Sequence, residues 1–165
     1  MSQDVPASAG QPELFCFERW PFSLRELREP GTHAYLWGEF PPGPYVAIVG
    51  SREASEVGNA AARRLARELA AEGVTIVSGG AVGIDASAHR GALDAGGRTL
   101  VVGPVWLDRA YPEENRPLFA EILKRGGAYC CVTGEETKAH YPSFFRRNEA
   151  LVALCQLLIV GESGF

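Results

Sequence analysis

The chain has 165 residues, 46% of them hydrophobic and 22% charged, with a net charge of −4. This is the balance of a single globular domain with a real core. It excludes a protein that coats nucleic acid through bulk positive charge, so the placement of the arginines matters more than their number.

Residues 1–22 open with a Pro-, Gly-, Ser- and Ala-containing stretch without periodicity and are expected to be a flexible tail, leaving 23–165 as one domain. No signal peptide is visible, and the longest apolar run, "LVALCQLLIVG", is shorter than the about 20 residues that span a bilayer. The expectation is therefore a soluble, cytoplasmic protein with no membrane partner. Cys16, Cys130, Cys131 and Cys155 lack Cys-x-x-Cys or Cys/His spacing and read as buried free thiols rather than a zinc site.

In chain order, "FSLRELREP" predicts a short helix ending at Pro30, and 34–38 ("AYLWG") a short strand. After the turn-rich "EFPPGP" comes a continuous apolar run, "YVAIV", as in a strand covered on both faces. Residues 55–72 predict a helix whose apolar stripe is Val57, Ala61, Leu65 and Leu69. The pattern then repeats: strand "VTIVS", helix 84–95 stopped by Gly96-Gly97, strand "TLVVG", helix 115–125, strand "AYCCV", helix 143–154 and strand 157–160. Strands alternating with helices imply crossovers between parallel strands. The fold class expected is thus α/β, a Rossmann-like doubly wound, mainly parallel sheet with helices on both faces, binding ligands beyond the carboxyl ends of its strands. Such a sheet normally continues past a last strand into a helix, so "LLIVGESGF" reads as the end of a fragment or of a shortened relative.

Two glycine-rich turns fall at that edge. In Gly50-Ser51-Arg52 the glycine permits close backbone approach, Ser51 offers a hydroxyl, and Arg52 a bidentate phosphate contact; the alternative is a plain strand-to-helix turn with Arg52 in solvent. The second turn, Ser78-Gly79-Gly80-Ala81-Val82-Gly83, matches neither a P-loop nor a dinucleotide fingerprint. Asp85 reads as a cap for its own helix before it reads as a base, and His89 as a hydrogen-bond donor behind the contact residues or as a structural histidine. A third cluster, Phe144, Phe145, Arg146, Arg147 and Asn148, with Lys138 upstream, combines aromatics that stack on unpaired bases with cations that hold phosphates. The competing reading is core phenylalanines and solvated arginines, and helical geometry turns only one Phe and one Arg toward a groove. The turn at Tyr111-Pro112 reads as structural. Asp85, Glu135 and Glu136 show no spacing that pairs them, and His33, His89 and His140 sit in unrelated contexts, so no catalytic site and no cofactor are expected.

"VAIVGSR", "VTIVSGGAVGIDASAHRGALDAGGRTLVV", "YPEENRPLF" and "FFRRNEAL", in this order, resemble the DNA-processing protein A family (DprA, also called Smf) from about Leu24 to Val160. The resemblance implies a Rossmann-like domain that binds single-stranded DNA and helps load a RecA-type recombinase in natural transformation and recombination. It assigns phosphate contacts to Gly50, Ser51 and Arg52, and DNA contacts to Lys138, Phe144, Arg146 and Arg147. Together with the turn residues Ser78, Gly79, Gly80 and Gly83 and with Asn148, these form the expected DNA-binding set. Val82 stands where many members carry arginine, "VGPVWLD" departs from the family's glycine-rich turn, and the portion through which members often form homodimers is absent. The alternative carried alongside is a nucleotide-binding sensor or nucleoside-monophosphate phosphoribohydrolase of the related superfamily. Its Pro-Gly-Gly-x-Gly-Thr stretch is missing, although Glu162 precedes Ser163-Gly164.

Overall fold

The computed structural model describes residues 12–16, 33–133 and 138–163. Among these, seven strands form one sheet: β1 (Glu13–Cys16), β2 (His33–Gly38), β3 (Tyr45–Val49), β4 (Thr75–Ser78), β5 (Thr99–Gly103), β6 (Ala128–Cys131) and β7 (Leu157–Val160), in spatial order β1-β2-β6-β5-β4-β3-β7. The strands from β6 across to β7 are parallel, and β1 and β2 extend the sheet antiparallel. Four helices, α1 (Glu56–Ala71), α2 (Ile84–Asp94), α3 (Arg116–Lys124) and α4 (Tyr141–Leu154), make the crossovers. This is the doubly wound α/β architecture that the strand–helix alternation predicts.

Two features differ from the sequence expectation. Glu13–Cys16, which composition placed in a free tail, pairs along β2 from Glu13↔Leu36 to Cys16↔His33. An open sheet edge offers unmade backbone hydrogen bonds, and an extended neighbouring segment satisfies them whatever its composition. The short helix expected at 22–30 lies outside the described residues.

The second difference is the buried stripe of α1. Ser55 caps this helix, its Oγ accepting the Gly58 N–H at 3.0 Å. The predicted stripe is rotated by one residue: Val57 is 79% exposed, whereas Ala62, Ala66 and Ala70 are buried. The reason is the approach of α2. A Cβ on Gly91 would overlap the Arg63 carbonyl oxygen, and one on Gly97 would lie 2.7 Å from the Ala70 Cβ. At that separation only alanine and glycine fit between the backbones, so the larger Leu65 and Leu69 are pushed to the flanks, half-buried. Gly91→Ala is therefore expected to cost about 3 kcal/mol in chemical denaturation, the upper end of ordinary overpacking, while Val57→Ser stays within about 0.5 kcal/mol.

The sheet's two faces are divided unequally. Ala47, Val77, Leu100, Val102 and Cys130 pack under α4 through Ala150, Leu151 and Leu154. The opposite face is covered by α1 and α2 over Val46, Ile48 and Ile76, and by α3 over Val101, Tyr129 and Cys131. Three strands are added on one side of β3, and α4 then carries the chain back to place β7 on the other side. The strand order reverses at β3, and the crevice beyond the carboxyl ends of β3 and β7 is the topological switch point.

His89 lies inside this framework, fully buried. The Thr99 hydroxyl donates to the Ile76 carbonyl at 2.7 Å, so its oxygen accepts from His89 Nδ1 at 2.7 Å, fixing the proton on Nδ1. Burial, with lesser help from Arg90 and Arg147, pushes His89 down from 6.5 to about 3. The folded state therefore holds a neutral imidazole that the unfolded chain protonates below pH 6.5, so stability is fully present above that pH and is lost as pH falls toward 3. Urea titrations should show the wild type losing roughly 2 kcal/mol relative to His89→Gln over about 1.5 pH units below that point, at about 1.4 kcal/mol per unit.

Candidate nucleic-acid interface

Three strand-end turns meet at the switch point, and they hold one another. The Ser51 N–H donates to the Glu162 carbonyl at 2.6 Å, joining the turns after β3 and β7. The Ile84 N–H donates to the Ser51 carbonyl at 3.2 Å, joining the first turn to the start of α2. Gly83 sits there at φ +80, and a Cβ on it would overlap the Ser51 carbonyl oxygen. Both the positive φ and the contact require glycine at this position.

The backbone amides of these turns, expected to face a ligand, are occupied from within. The Asp85 carboxylate accepts the N–H groups of Gly79 at 3.1 Å and Ala81 at 3.3 Å, and the nearby Gly50 amide also pulls its pKa down. Asp85 is thus not the cap of α2, whose N-cap is Gly83; its side chain ties the first glycine turn to the second. Glu162 does the same at the start of α1. Its carboxylate accepts the Ser55 N–H at 3.0 Å and the Ser55 hydroxyl at 2.5 Å, and a Cβ on Gly58 would overlap it. A helix N-terminus attracts anions through its unpaired amides and dipole, and here the anions are the protein's own. Glu162, the carboxylate on which the hydrolase alternative would draw, is held in this bond network.

Arg147 completes the buried part of the site. It is 7% exposed, its Nη1 lies 4.0 Å from Asp85 Oδ2 and 3.4 Å from the Val102 carbonyl, and it fills the space where Gly79 lacks a side chain. Burial pushes the Asp85 carboxyl up, against the pull of Arg147 and the three amides, and pushes the Arg147 guanidinium down, against the pull of Asp85.

What remains facing solvent is a cation and an aromatic face. The guanidinium of exposed Arg52 stands 5.3 Å from the centre of the half-buried Phe144 ring, Arg147 lies 6.0 Å from the same ring, and Tyr111 meets it edge-on at 5.6 Å. These residues, with Pro112, Ala81 and Val82, line a small cleft. Beside it, between β3, β7 and α4, opens a cleft of about 350 Å³ lined by Gly50, Arg52, Asp85, Arg147 and Asn148 on its polar side and Leu151, Val152 and Leu158 on its apolar side. Such a volume suits a small ligand or one unit of a polymer.

The expected set is therefore brought together only in part. Gly50, Arg52, Gly79, Phe144, Arg147 and Asn148 line these clefts. Ser51 and Gly83 hold the turns, the Ser51 Oγ accepting the Glu53 N–H at 3.1 Å. Two residues leave the set. Ser78 is fully buried with its hydroxyl on the Ile48 carbonyl at 2.6 Å, because a polar group inside the sheet must find a partner. Gly80, at φ +74, is buried against Phe119 and Val101, its carbonyl accepting from Asn115 at 3.0 Å. Arg146 and Lys138 are exposed and line neither cleft; the Lys138 carbonyl accepts from the Ser143 hydroxyl at 3.2 Å at the start of α4. On α4 the residues facing the clefts are Phe144, Arg147, Asn148, Leu151 and Val152, a helical i, i+3, i+4, i+7, i+8 face, while Phe145 pairs with Tyr141 in solvent. Tyr111, read from sequence as structural, is 43% exposed at the mouth of the small cleft. Glu135 and Glu136 lie outside the described residues.

A family model described as DNA recombination-mediator protein A matches residues 14–164. The chain belongs to that family. It is 31% identical over 143 residues to protein Smf of Borreliella burgdorferi, covering 86% of this chain and 46% of that protein. With the DNA processing protein DprA of Streptococcus pneumoniae it shares 38% identity over 151 residues, covering 87% of this chain and 51% of that one. The chain thus spans about half the length of these relatives. Among solved structures, DNA processing protein A of Helicobacter pylori, a protein with a single-stranded DNA binding mode, superposes with a TM-score of 0.75 at 31% identity over 84% of this chain and 64% of that chain. Among the described residues no helix is long and apolar enough to cross a membrane.

Proposed function

We propose that this domain binds single-stranded DNA along the carboxyl edge of its sheet, at the β3–β7 switch point, and serves a RecA-type recombinase in DNA uptake and recombination. The observation that carries the reading is the exposed Arg52 guanidinium set over the Phe144 ring beside a cleft of about 350 Å³. A guanidinium takes a phosphate, an aromatic face takes an unpaired base, and neither needs a particular sequence. The family membership and the Helicobacter pylori relative support the same ligand. The contacts are assigned to Arg52, Phe144 and Asn148, with Gly50 as the close-approach point and Lys138 and Arg146 as flanking cations. Ser51, Gly79 and Gly83 shape the turns. The proposed role needs no cofactor and no catalytic residue, and the partners are the strand and the recombinase.

Fluorescence anisotropy with a labelled oligo-dT strand over a salt series tests this reading. The logarithm of the affinity should fall linearly with that of salt, by about 0.7 for each phosphate neutralised. Equal affinity for a duplex of the same length, or no dependence on salt, would refute it.

A further inference from the structure

We propose that the buried Asp85–Arg147 pair is a positioning device that sets Arg52 and Phe144 at the cleft without itself touching DNA. The inference rests on the DNA-binding reading for its purpose, and on geometry alone for its mechanism. One carboxylate accepts the Gly79 and Ala81 amides of the turn after β4 and feels the Gly50 amide of the turn after β3, which the Ile84 N–H ties to the start of α2 through the Ser51 carbonyl at 3.2 Å. The same carboxylate faces the guanidinium of Arg147, which comes from α4 on the far side of the crevice, 4.0 Å away. Arg147 in turn lies 6.0 Å from the Phe144 ring whose centre is 5.3 Å from Arg52. A continuous chain of contacts thus runs from the glycine turns to the exposed cation and the aromatic face.

The position of Arg147 distinguishes this from a phosphate contact. It is 7% exposed, and its Nε is enclosed without a hydrogen-bond partner. Its Nη1 is turned inward, donating to the Val102 carbonyl at 3.4 Å and lying 4.0 Å from Asp85. Exposed Arg52 is placed to neutralise a phosphate, and Arg147 to hold the ring beneath it. A residue of this kind changes affinity by displacing others, and leaves unchanged the number of phosphates neutralised.

Two measurements test the proposal. The first uses no DNA: amide hydrogen exchange on the wild type and Asp85→Asn. The amides of Gly50, Gly79 and Ala81 are expected to exchange together, about tenfold faster in the variant, while those of α3 keep their protection. Unchanged exchange, or a change at one amide alone, overturns the proposed coupling of the turns. The second is oligo-dT binding by Arg147→Met and Arg147→Lys across a salt series. Both variants are expected to bind about tenfold more weakly than the wild type with the wild-type salt slope, because lysine keeps the charge and loses the planar fork. A slope lower by about 0.7 in Arg147→Met marks a direct phosphate contact and overturns the proposal. So does wild-type affinity in Arg147→Lys, which keeps Asp85 neutralised and decides the question if Arg147→Met fails to fold. A wild-type protein that ignores oligo-dT sinks the DNA-binding reading instead, and the exchange measurement still judges the pair.

Discussion

Arg52→Ala is expected to weaken oligo-dT binding by roughly 10- to 100-fold, the range of one lost charge-assisted hydrogen-bonded contact, and to lower the salt slope by about 0.7. The side chain is exposed, and its contact within the described residues is the Phe144 ring, so the fold should be untouched and the thermal midpoint should move little. Phe144→Ala should cost a comparable factor, about 1–3 kcal/mol for one stacked base, with the slope unchanged, since a ring neutralises nothing. The two losses should not add. The guanidinium and the ring touch, so removing either frees the other, and the double variant should bind better than the product of the single effects predicts. Anisotropy titrations of the four proteins at two salt concentrations contain all of these comparisons. Full additivity would mean that Arg52 and Phe144 act on separate parts of the strand, and a wild-type slope in Arg52→Ala would remove its phosphate.

The sheet was legible because each parallel strand is a short apolar run, with a glycine closing or directly following β3, β4, β5 and β7, and each crossover has helical length. Those signals are local, and they located Tyr45–Val49, Thr75–Ser78, Thr99–Gly103, Ala128–Cys131 and Leu157–Val160 within a residue or so. The carboxyl edge followed from the topology. Less legible was anything decided by an approach between distant segments. The α1 stripe was misplaced because hydrophobicity favours leucine over alanine, whereas the close approach of Gly91 favours alanine over leucine. The strand Glu13–Cys16 owes its existence to an edge that only the folded sheet creates.

At the site the same division holds. Glycine turns announced amides available to an anion, and that chemistry is present. Sequence does not say whose anion it is, and a carboxylate six residues after Gly79 and another 107 residues after Ser55 reach the amides first. Arg147 was legible as a cation near the groove but not as a buried one, because the space it occupies is created by the missing side chain of Gly79. Phe144 could be separated from Phe145 by helical phase once Leu151 and Leu154 were seen to be core residues.

The most destructive single change should be Asp85→Ala. It deletes the acceptor of the Gly79 and Ala81 amides and leaves the guanidinium of buried Arg147 without its counter-charge. Breaking one partner from a buried pair costs about 3–5 kcal/mol, and the orphaned amides add to it, against a total stability of about 5–15 kcal/mol for a domain of this kind. The directions of the shifts argue that the cost comes from breaking the pair, with little from any intrinsic strength of attraction. Burial raises the Asp85 carboxyl and lowers the Arg147 guanidinium despite their mutual pull, so each charge is tolerated here because of the other. It follows that Asp85→Ala combined with Arg147→Met should recover much of the loss, since the second change removes the stranded charge and keeps the volume. Gly79→Ala should resemble the single variant, because its Cβ would overlap the Arg147 guanidinium and lie 2.8 Å from the Asp85 carboxylate, forcing the two apart. Chemical denaturation of the wild type and these three variants checks this, and a double variant less stable than Asp85→Ala would mean that Arg147 supports the fold through contacts that do not involve Asp85.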